Sequence, residues 1–247
     1  MTYGVIGKGF VGSALLQDWP ADYVYDTSNI EKIAGKEFDL LVCAGAPAEK
    51  WKANNYPQQD LNSLDRLVAA LANGVEARKF VLVSTIDTLS LSMGGSYGAH
   101  RKLLESVLKR MFPHMQIVRL PALFGHGLKK NALYDLLHGN DLPASVQASS
   151  YQWYPIHRLR NDIGLMLGNG IEELNLFPPT IRMDFIMRAF FPNAERRPYI
   201  AGGSFGKPVV YDFSPTPLCD RDPIDMLSRE QVLGHMAQFI VEHRVAE

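Results

Sequence analysis

Residues 4–16 read GVIGKGFVGSALL, and this stretch decides the fold. Its glycines, Gly7, Gly9 and Gly12, follow the order G-x-G-x-x-G between a short apolar run and a segment of helical character. Such a sequence predicts a strand that turns tightly into the N-terminus of a helix. The first glycine permits the turn, the second lets a pyrophosphate approach the backbone, and the third lets helix and strand pack closely.

The predicted turn is also an anion site, because N–H groups and the positive end of the helix dipole meet at a helix N-terminus. Asp26 follows the apolar-alternating residues 23–25, about 20 residues after the first glycine. A carboxylate at that distance hydrogen-bonds the adenosine ribose hydroxyls and repels a 2′-phosphate. The sequence therefore predicts a bound dinucleotide, NAD rather than NADP. A tight turn that binds nothing is the alternative.

The composition limits the kinds of molecule that this protein is expected to bind. The 247 residues suit one large domain, or a nucleotide domain with a smaller lobe, and 25 Lys+Arg balance 26 Asp+Glu. Since there is no basic run, we expect neither nucleic acid nor a membrane surface as partner, and small metabolites remain. No apolar run approaches the ~20 residues of a membrane span, and no signal peptide precedes the first strand, so we expect a cytoplasmic protein.

The cysteines and histidines predict no metal site. Cys43 and Cys219 lack metal spacing, and Cys43 lies inside an apolar strand, where a reduced buried thiol is expected. The seven histidines show no H-E-x-x-H pattern.

Strands and helices alternate from residue 2 to about residue 125, as in a doubly wound parallel sheet. The predicted elements are strands over 38–44, 79–84 and 115–120 and helices over 11–19, 60–72 and 99–111. Asp60 is the expected N-cap of the second of these helices. The small residues Gly45-Ala46-Pro47 follow the strand 38–44, at the edge where ligands lie in open α/β sheets. A plain Gly-Pro turn is the alternative there.

The elements after residue 125 are shorter. We predict helices over 129–138, 157–167 and 180–190 and strands over 152–155, 174–177 and 209–213. A capping box, Ser228 with Gln231, starts a last helix that runs to about His243. The fold prediction is an α/β, Rossmann-type doubly wound sheet over residues 1–125. A small substrate-binding lobe over residues 126–247 would be interwoven with it.

Tyr97 and Arg101 are the first candidates for catalysis. Four residues apart on a helix, they share one face. A cation near a phenol lowers its pKa from ~10, which would make the tyrosine an acid–base group for a hydroxyl–carbonyl interconversion. Thr85, at the end of the preceding strand, would orient the substrate oxygen. The alternative is a solvated helix pair without a catalytic role.

Four segments resemble the extended short-chain dehydrogenases/reductases, the NAD-dependent epimerase/dehydratase family that acts mainly on nucleotide sugars. They are the glycine turn 7–12, the strand end Val83-Ser84-Thr85, Tyr97-Gly98-x-x-Arg101, and the segment 119–125. Residues 153–159 and 175–177 are similar to later parts of the family. The resemblance covers the chain from residue 1 to about residue 190.

The resemblance implies Tyr97 as catalytic acid/base, Thr85 as its hydroxyl partner and Arg101 as the accompanying cation. It also implies a homodimer through the helices 60–72 and 99–111. The implied cofactor-binding residues are Gly7, Lys8, Gly9, Phe10, Val11, Gly12, Asp26, Ala44, Gly45, Ala46, Ser84 and Pro121. The implied substrate-binding residues are Lys130 and Asn131.

Two departures from the family pattern matter. The glycine turn is one residue shorter than G-x-x-G-x-x-G, and Arg101 stands where the family has lysine. Arginine keeps the charge, but its planar fork differs from a compact ammonium. Two hypotheses follow: an NAD(P)-dependent oxidoreductase, epimerase or dehydratase acting on a nucleotide sugar or similar polyol, or an inactive dinucleotide-binding regulator or scaffold.

A serine hydrolase is a weaker alternative. The G-x-S-x-G pattern of a nucleophile elbow occurs at residues 94–98 and at residues 202–206. Neither copy has the strand–turn–helix context that the elbow requires.

Overall fold

The structure is a computed structural model that describes residues 1–201, 207–215 and 226–246. The chain divides into two compact units, which we describe separately. The first comprises Met1–Leu120 and Arg158–Asn175, and the second comprises Pro121–His157 and Leu176–Glu247.

In the described part of the chain the strands are β1 Tyr3–Ile6, β2 Tyr23–Tyr25, β3 Glu37–Cys43, β4 Glu76–Thr85, β5 Gln116–Leu120, β6 Ala122–Phe124, β7 Ser150–Pro155, β8 Glu173–Asn175 and β9 Thr180–Arg182. The helices are α1 Phe10–Asp18, α2 Lys50–Asn55, α3 Pro57–Ala72, α4 Leu91–Met111, α5 Ala132–Leu137, α6 Ala144–Gln147, α7 Leu159–Gly168, α8 Met183–Phe190 and α9 Arg229–Ala246. Short 3₁₀ helices cover Ile30–Ile33, Ile86–Leu89 and Ile156–Arg158.

The first unit is built on a parallel sheet of order β2-β1-β3-β4-β5-β8. The chain leaves β1 toward β2 on one side and returns to β3 on the other, so the strand order reverses between β1 and β3. In doubly wound sheets the ligand crevice lies at such a switch point, outside the carboxyl ends of the strands. The predicted Rossmann-type sheet is confirmed.

The strands of this sheet form because their apolar runs can be buried on both faces. In β3, Leu40, Leu41, Val42 and Cys43 are all 0% exposed. Burial raises the pKa of the Cys43 thiol to about 11, and Cys43 is a free cysteine, as predicted. Cys219 lies outside the described residues.

Asp60 is not a helix cap, so that prediction is wrong. α3 begins at Pro57, whose ring suits the first turn of a helix. Asp60 lies inside α3 on the buried face that also carries Leu64, Leu67 and Leu71. A buried carboxylate needs a charged or hydrogen-bonding partner, and for Asp60 that partner is the guanidinium of Arg101.

The second unit contains a three-stranded sheet of order β6-β7-β9, with β6 and β7 parallel and β7 and β9 antiparallel. The predicted helix 180–190 is wrong in its first turn. Residues 180–182 form β9, which pairs with β7, and α8 begins only at Met183. The predicted strand 209–213 is reduced to a bridge between Ser150 and Val210.

α9 begins at the predicted capping box. Gln231 N donates to Ser228 Oγ at 3.2 Å, and Ser228 N donates to Gln231 Oε1 at 2.7 Å. Apolar residues of α9, such as Val232, Met236 and Ile240, join the core of the second unit. Within the described ranges, no helix is both long and apolar enough to cross a bilayer.

Candidate active site

The turn from β1 to α1 requires glycine at two positions. Gly7 has φ +107°, and a Cβ there would lie 2.4 Å from the Ala44 carbonyl oxygen. A Cβ on Gly12 would lie 1.9 Å from the Gly7 carbonyl oxygen. At Gly9, by contrast, no atom of the described residues lies within 4 Å of the position that a Cβ would occupy. A side chain at Gly7 or Gly12 would therefore clash with the backbone, whereas among the described residues the space next to Gly9 is free.

The N-terminus of α1 has the chemistry of an anion site. Gly9 is the N-cap, and within the described chain no side chain caps the first turn. That turn reads Phe10-Val11-Gly12-Ser13, which carries no carboxylate. Its first N–H groups have no acceptor within the helix. These residues fit the pyrophosphate of a dinucleotide, because the backbone is open and the helix dipole favours negative charge.

Asp26 lies directly after β2, next to this turn. Its Oδ1 accepts hydrogen bonds from Ser28 N at 2.8 Å and Ser28 Oγ at 2.5 Å, and Lys8 Nζ lies 3.4 Å from Oδ2. The hydrogen bonds from Ser28, helped by Lys8, lower the pKa of the Asp26 carboxyl below its usual value. A fixed negative charge with a lysine beside it therefore stands at the end of β2.

The end of β3 meets the end of β1 at the switch point. Ala44 N donates to the Ile6 carbonyl oxygen at 2.8 Å, and a Cβ on Gly45 would lie 2.8 Å from Ile6 Cγ2. The half-buried residues Ala44, Gly45 and Ala46 thus lie beside the glycine turn. This is the position from which residues line a dinucleotide crevice.

Thr85 and Tyr97 lie together beyond the end of β4. Thr85 ends the strand, the 3₁₀ helix Ile86–Leu89 follows, and α4 packs against it. Cβ atoms on Gly94 and Gly98 would lie 2.5 and 2.4 Å from the Asp87 carbonyl oxygen, so only glycines allow this approach. The copy of G-x-S-x-G at residues 94–98 is thereby a packing feature of α4, and the copy at residues 202–206 lies outside the described residues.

The start of α4 is held by a side chain of α2. α4 is interrupted at Gly95, where φ is +59°, and Tyr97 N donates to Asn54 Oδ1 at 2.9 Å. Tyr97 is 9% exposed, and the Thr85 hydroxyl is within hydrogen-bonding reach of its phenol. The two residues expected to act together are therefore side by side.

The expected lowering of the Tyr97 pKa is wrong for this arrangement. Burial raises the pKa of the phenol above its usual value, and the Asp87 and Asp60 carboxylates raise it further. Arg101 and the hydrogen bond with Thr85 lower the pKa but do not outweigh burial. At neutral pH Tyr97 is consequently a phenol that holds its proton.

Arg101 is a buried ion-pair partner, so the alternative of a solvated helix pair is also wrong. Its Nη1 and Nη2 donate to the two oxygens of Asp60 at 2.8 and 2.7 Å, and Nη2 donates to the Pro47 carbonyl oxygen at 2.6 Å. Its Cζ lies 4.5 Å from the centroid of the Tyr97 ring. Burial opposes ionisation of Asp60, but the hydrogen bonds from Arg101 and His100 keep its pKa below the usual value.

Sequence reasoning missed Asp87 and Lys50. Lys50 Nζ lies 2.6 Å from Asp87 Oδ1, and Asp87 Oδ2 lies 3.4 Å from Thr85 Oγ1. The proximity of Asp87 to Thr85 could have been read from the sequence, since the two are separated by one residue. No local pattern marks Lys50. The burial of Asp60 could have been predicted from the sequence, because Asp60 continues the helical spacing of the buried leucines of α3.

Ser84 belongs to a buried ionic cluster. Its hydroxyl donates to Glu105 Oε1 at 2.7 Å, and Arg119 Nε and Nη2 donate to the same carboxylate at 2.9 and 2.8 Å. The side chain of Ser84 is therefore engaged inside the unit. The expected contact of Ser84 with a dinucleotide would therefore be made by its backbone.

The remaining candidates lie in the second unit. Pro121 is buried, and Lys130 is exposed. Asn131 is the N-cap of α5, with φ +132°; its Oδ1 accepts from Leu133 N and Tyr134 N, both at 3.0 Å, and its Nδ2 donates to the Leu123 carbonyl oxygen at 2.8 Å. The amide of Asn131 thus caps a helix in this structure.

The second unit also contains a cavity of about 440 Å³. Gln152, Phe177, Asp212 and Phe213 are among the residues that line it. No group of three His, Cys, Asp or Glu side chains among the described residues is arranged to hold a metal ion.

The fold of this chain is also found in solved structures of other proteins. No protein-family model matches the sequence, and no curated protein matches it. Similar solved structures include a UDP-glucose 4-epimerase from Thermotoga maritima with UDP-glucose, at 14% identity and a TM-score of 0.69 over 100% of this chain and 99% of that one. An NAD-dependent NDP-hexosamine 5,6-dehydratase of tunicamycin biosynthesis has 14% identity and a TM-score of 0.74 over the same shares.

A dTDP-4-dehydrorhamnose reductase from Bacillus anthracis in complex with NADP is similar as well, with 15% identity, a TM-score of 0.72 and 97% of each chain covered. These neighbours are epimerases, dehydratases and reductases of sugar nucleotides. The chain is thus a Rossmann-type α/β protein. More narrowly, it shares the fold of these epimerases, dehydratases and reductases, as the predicted resemblance implied.

Proposed function

We propose that the protein is an NAD(P)-dependent oxidoreductase, epimerase or dehydratase that acts on a nucleotide sugar or a similar polyol. The observation that carries this proposal is the placement of Thr85 and Tyr97 just beyond the carboxyl end of β4. β4 neighbours β3, and β3 neighbours β1, so this pair and the open glycine turn share one edge of the sheet. Ligands of doubly wound sheets bind at that edge.

The proposed roles of Tyr97 and Thr85 follow from the fact that each side chain carries a proton at neutral pH. A nicotinamide held at this edge supplies hydride transfer. Tyr97 keeps its proton at neutral pH and can give it to a substrate oxygen that gains negative charge. Thr85 orients that oxygen and donates a hydrogen bond. The burial of Tyr97 favours the proton-donating direction, because the phenolate is the form that burial disfavours.

The cofactor of our proposal is NAD, with NADP less favoured. Gly7, Gly9 and Gly12 with the first turn of α1 would hold the pyrophosphate, and the Asp26 carboxylate would bind the ribose hydroxyls. Solved structures with this fold include one described as NAD-dependent and one in complex with NADP, so the fold admits both. We favour NAD over NADP because the negative charge of Asp26 would repel the 2′-phosphate of NADP.

We further propose that substrate-binding residues, among them Lys130 and Asn131, lie in the second unit. A small-molecule partner, a cytoplasmic location and a homodimer through α3 and α4 belong to the same proposal. Native mass spectrometry of the purified protein would show bound dinucleotide, bound substrate and subunit number together.

A second candidate is a dinucleotide-binding regulator or scaffold without turnover. The environment of Arg101 favours it: both terminal nitrogens of the guanidinium are engaged by Asp60 and Pro47, and the side chain is 3% exposed. Two of its three nitrogens are thus directed at Asp60 and Pro47 and not at a bound nicotinamide ribose. Cofactor binding without catalysis would then result.

Turnover on a panel of nucleotide sugars tests the proposal. The NAD-loaded protein is mixed with each sugar, and the absorbance of reduced nicotinamide and the sugar products are followed. We expect turnover with at least one sugar and a fall of roughly 10²–10⁴-fold in kcat for Tyr97→Phe, because the phenol is the proton donor.

Tyr56→Phe is the matched control, since Tyr56 is half exposed and its hydroxyl has no role in the proposed chemistry. Its kcat should equal that of the wild type. Full turnover by Tyr97→Phe would reject the catalytic role of Tyr97. Tight NAD binding without turnover across the panel would favour the regulator.

A further inference from the structure

Helix α4 consists of two helical parts, and the second part begins next to Tyr97. Gly95 interrupts the helix with φ +59° and ψ −147°, so regular helix starts again at residue 96. Tyr97 is therefore the second residue of a helical part that runs to Met111. The first N–H groups of a helix have no acceptor inside it, so the backbone N–H of Tyr97 needs an acceptor from elsewhere.

Gly95 occupies the N-cap position of this second part but has no side chain to cap it. In many helices an N-cap Ser, Thr, Asp or Asn accepts a hydrogen bond from the N–H of the second or third residue. Here Tyr97 N donates to Asn54 Oδ1 at 2.9 Å, although Asn54 is 43 residues away in the chain. A Cβ on Gly95 would lie 2.8 Å from the same oxygen. The amide of Asn54 thus fills the place where the side chain of an N-cap residue would lie.

The backbone and the ring of Tyr97 are held by different residues. Arg101 Cζ lies 4.5 Å from the centroid of the Tyr97 ring, so a buried guanidinium covers one ring face. Asp60 and the Pro47 carbonyl oxygen hold that guanidinium in turn. The backbone N–H is held by Asn54, which is exposed on α2. The cap can therefore be removed by a substitution that leaves the buried ion pair in place.

Helix α2 is itself fixed, which a cap supplied from another helix requires. Ala53, the residue before Asn54, is 1% exposed, and α2 packs against both α3 and α4. One turn earlier in α2, Lys50 Nζ lies 2.6 Å from Asp87 Oδ1. Residues four apart share a helix face, so the face that carries Asn54 is held against the segment between β4 and α4.

We propose that Asn54 is a positioning residue for Tyr97: its side-chain oxygen supplies from α2 the cap that Gly95 lacks, and so fixes the start of the helical part that carries the phenol. The consequence for catalysis rests on the proposed acid/base role of Tyr97. Proton transfer requires the phenol oxygen at hydrogen-bonding distance from the substrate oxygen. Asn54 acts on this distance through the backbone of Tyr97.

Hydrogen exchange of the Tyr97 amide tests the cap without any substrate. The protein is labelled with nitrogen-15 tyrosine, and the Tyr97 resonance is the one that is lost in Tyr97→Phe. Asn54→Ala removes the acceptor, so we expect the exchange rate of this amide to rise roughly tenfold or more. Asn54→Asp keeps a side-chain oxygen at the same place and should restore slow exchange.

Asn55→Ala is the matched control. Asn55 is the next residue of α2, is also exposed, and donates from its side chain to the Trp51 carbonyl oxygen at 2.8 Å within the same helix. Its variant should leave the Tyr97 amide as slow as in the wild type. Tyr3 N, which donates to Asp22 Oδ2 at 2.7 Å, is the internal reference in the same spectrum. Its exchange would rise too if Asn54→Ala merely destabilised the first unit.

Turnover tests the consequence for catalysis. With a sugar that the nucleotide-sugar panel identifies as substrate, Asn54→Ala should lower kcat roughly 10–100-fold with little change in KM, because a misplaced phenol affects proton transfer more than binding. Asn54→Asp should restore kcat, and Asn55→Ala should leave it unchanged.

Equal exchange of the Tyr97 amide in wild type and Asn54→Ala would overturn the inference. So would an equal rise in Asn55→Ala, a matching rise at Tyr3, or an unchanged kcat in Asn54→Ala. The result is separable from that of the panel: a silent panel contradicts the proposed enzyme, whereas amide exchange decides by itself whether Asn54 caps the helix at Tyr97.

Discussion

Arg101 joins three separate parts of the first unit. It belongs to α4, its carboxylate partner Asp60 belongs to α3, and it also binds the carbonyl oxygen of Pro47 in the loop after β3. Removing one member of a buried ion pair typically costs about 3–5 kcal/mol, because a charge is left without compensation. Arg101 therefore stabilises the arrangement of the elements around Tyr97, beyond any effect on the phenol itself.

The charge of Asp26 leads to a prediction about cofactor choice. Asp26→Asn removes the charge that repels a 2′-phosphate and leaves Lys8 next to the site, so we expect the ratio of NADP to NAD affinity to rise roughly tenfold. Isothermal titration calorimetry with both dinucleotides measures this ratio. Asp18→Asn, at the exposed end of α1, should leave it unchanged. A wild-type protein that prefers NADP would contradict the role given to Asp26.

At the scale of the element, the β1–α1 turn contains one glycine that packing requires, Gly12, and one that leaves the backbone open, Gly9. Gly12 is required for packing, since any Cβ would meet the carbonyl oxygen of Gly7, whereas the space next to Gly9 is open. From glycine spacing alone the sequence predicted the tight turn, which the structure shows, and an anion site, which stays a prediction. The turn could be predicted because a tight turn and a helix N-terminus are local structures, decided by residues that are neighbours in the chain.

Two alanine substitutions test this separation. Gly12→Ala should lower the free energy of unfolding by roughly 1–3 kcal/mol, because the backbone of the turn must move. Gly9→Ala should fold like the wild type but bind dinucleotide more weakly, because its methyl group occupies the open approach. Thermal unfolding and calorimetric titration with NAD measure the two effects. Unchanged NAD binding by Gly9→Ala would show that the turn is not the cofactor cradle.

For the first unit as a whole, buried charge adds a pH-dependent component to stability. Glu105 and Arg119 have side chains that are 3% and 2% exposed, and Ser84 and Lys102 also donate to Glu105. Burial opposes ionisation of Glu105, but the hydrogen bonds from Arg119, Ser84 and Lys102 hold its pKa below the usual value. A group with a lowered pKa stabilises the folded state above its usual pKa, and this contribution is lost as the pH falls.

We therefore expect the melting temperature to fall as the pH drops below about 4, and Glu105→Gln to weaken that dependence. At pH 7 the same variant should lose roughly 3 kcal/mol of stability, because Arg119 loses its buried partner. Glu172→Gln is the control, since the side chain of Glu172 is 79% exposed beside Lys109 and such pairs contribute little. Identical pH profiles of wild type and Glu105→Gln would refute the assignment.

The sequence by itself determined the glycine turn, the alternating strands and helices of the first unit and the capping box of α9. Each of these follows from residues that are close in the chain. Only the tertiary structure decided that Asp60 neutralises Arg101 and that Lys50 holds Asp87, because these partners are 41 and 37 residues apart. The packing of the helices on either side of β4 brings such charges together, and burial of Tyr97 then makes its phenol keep its proton.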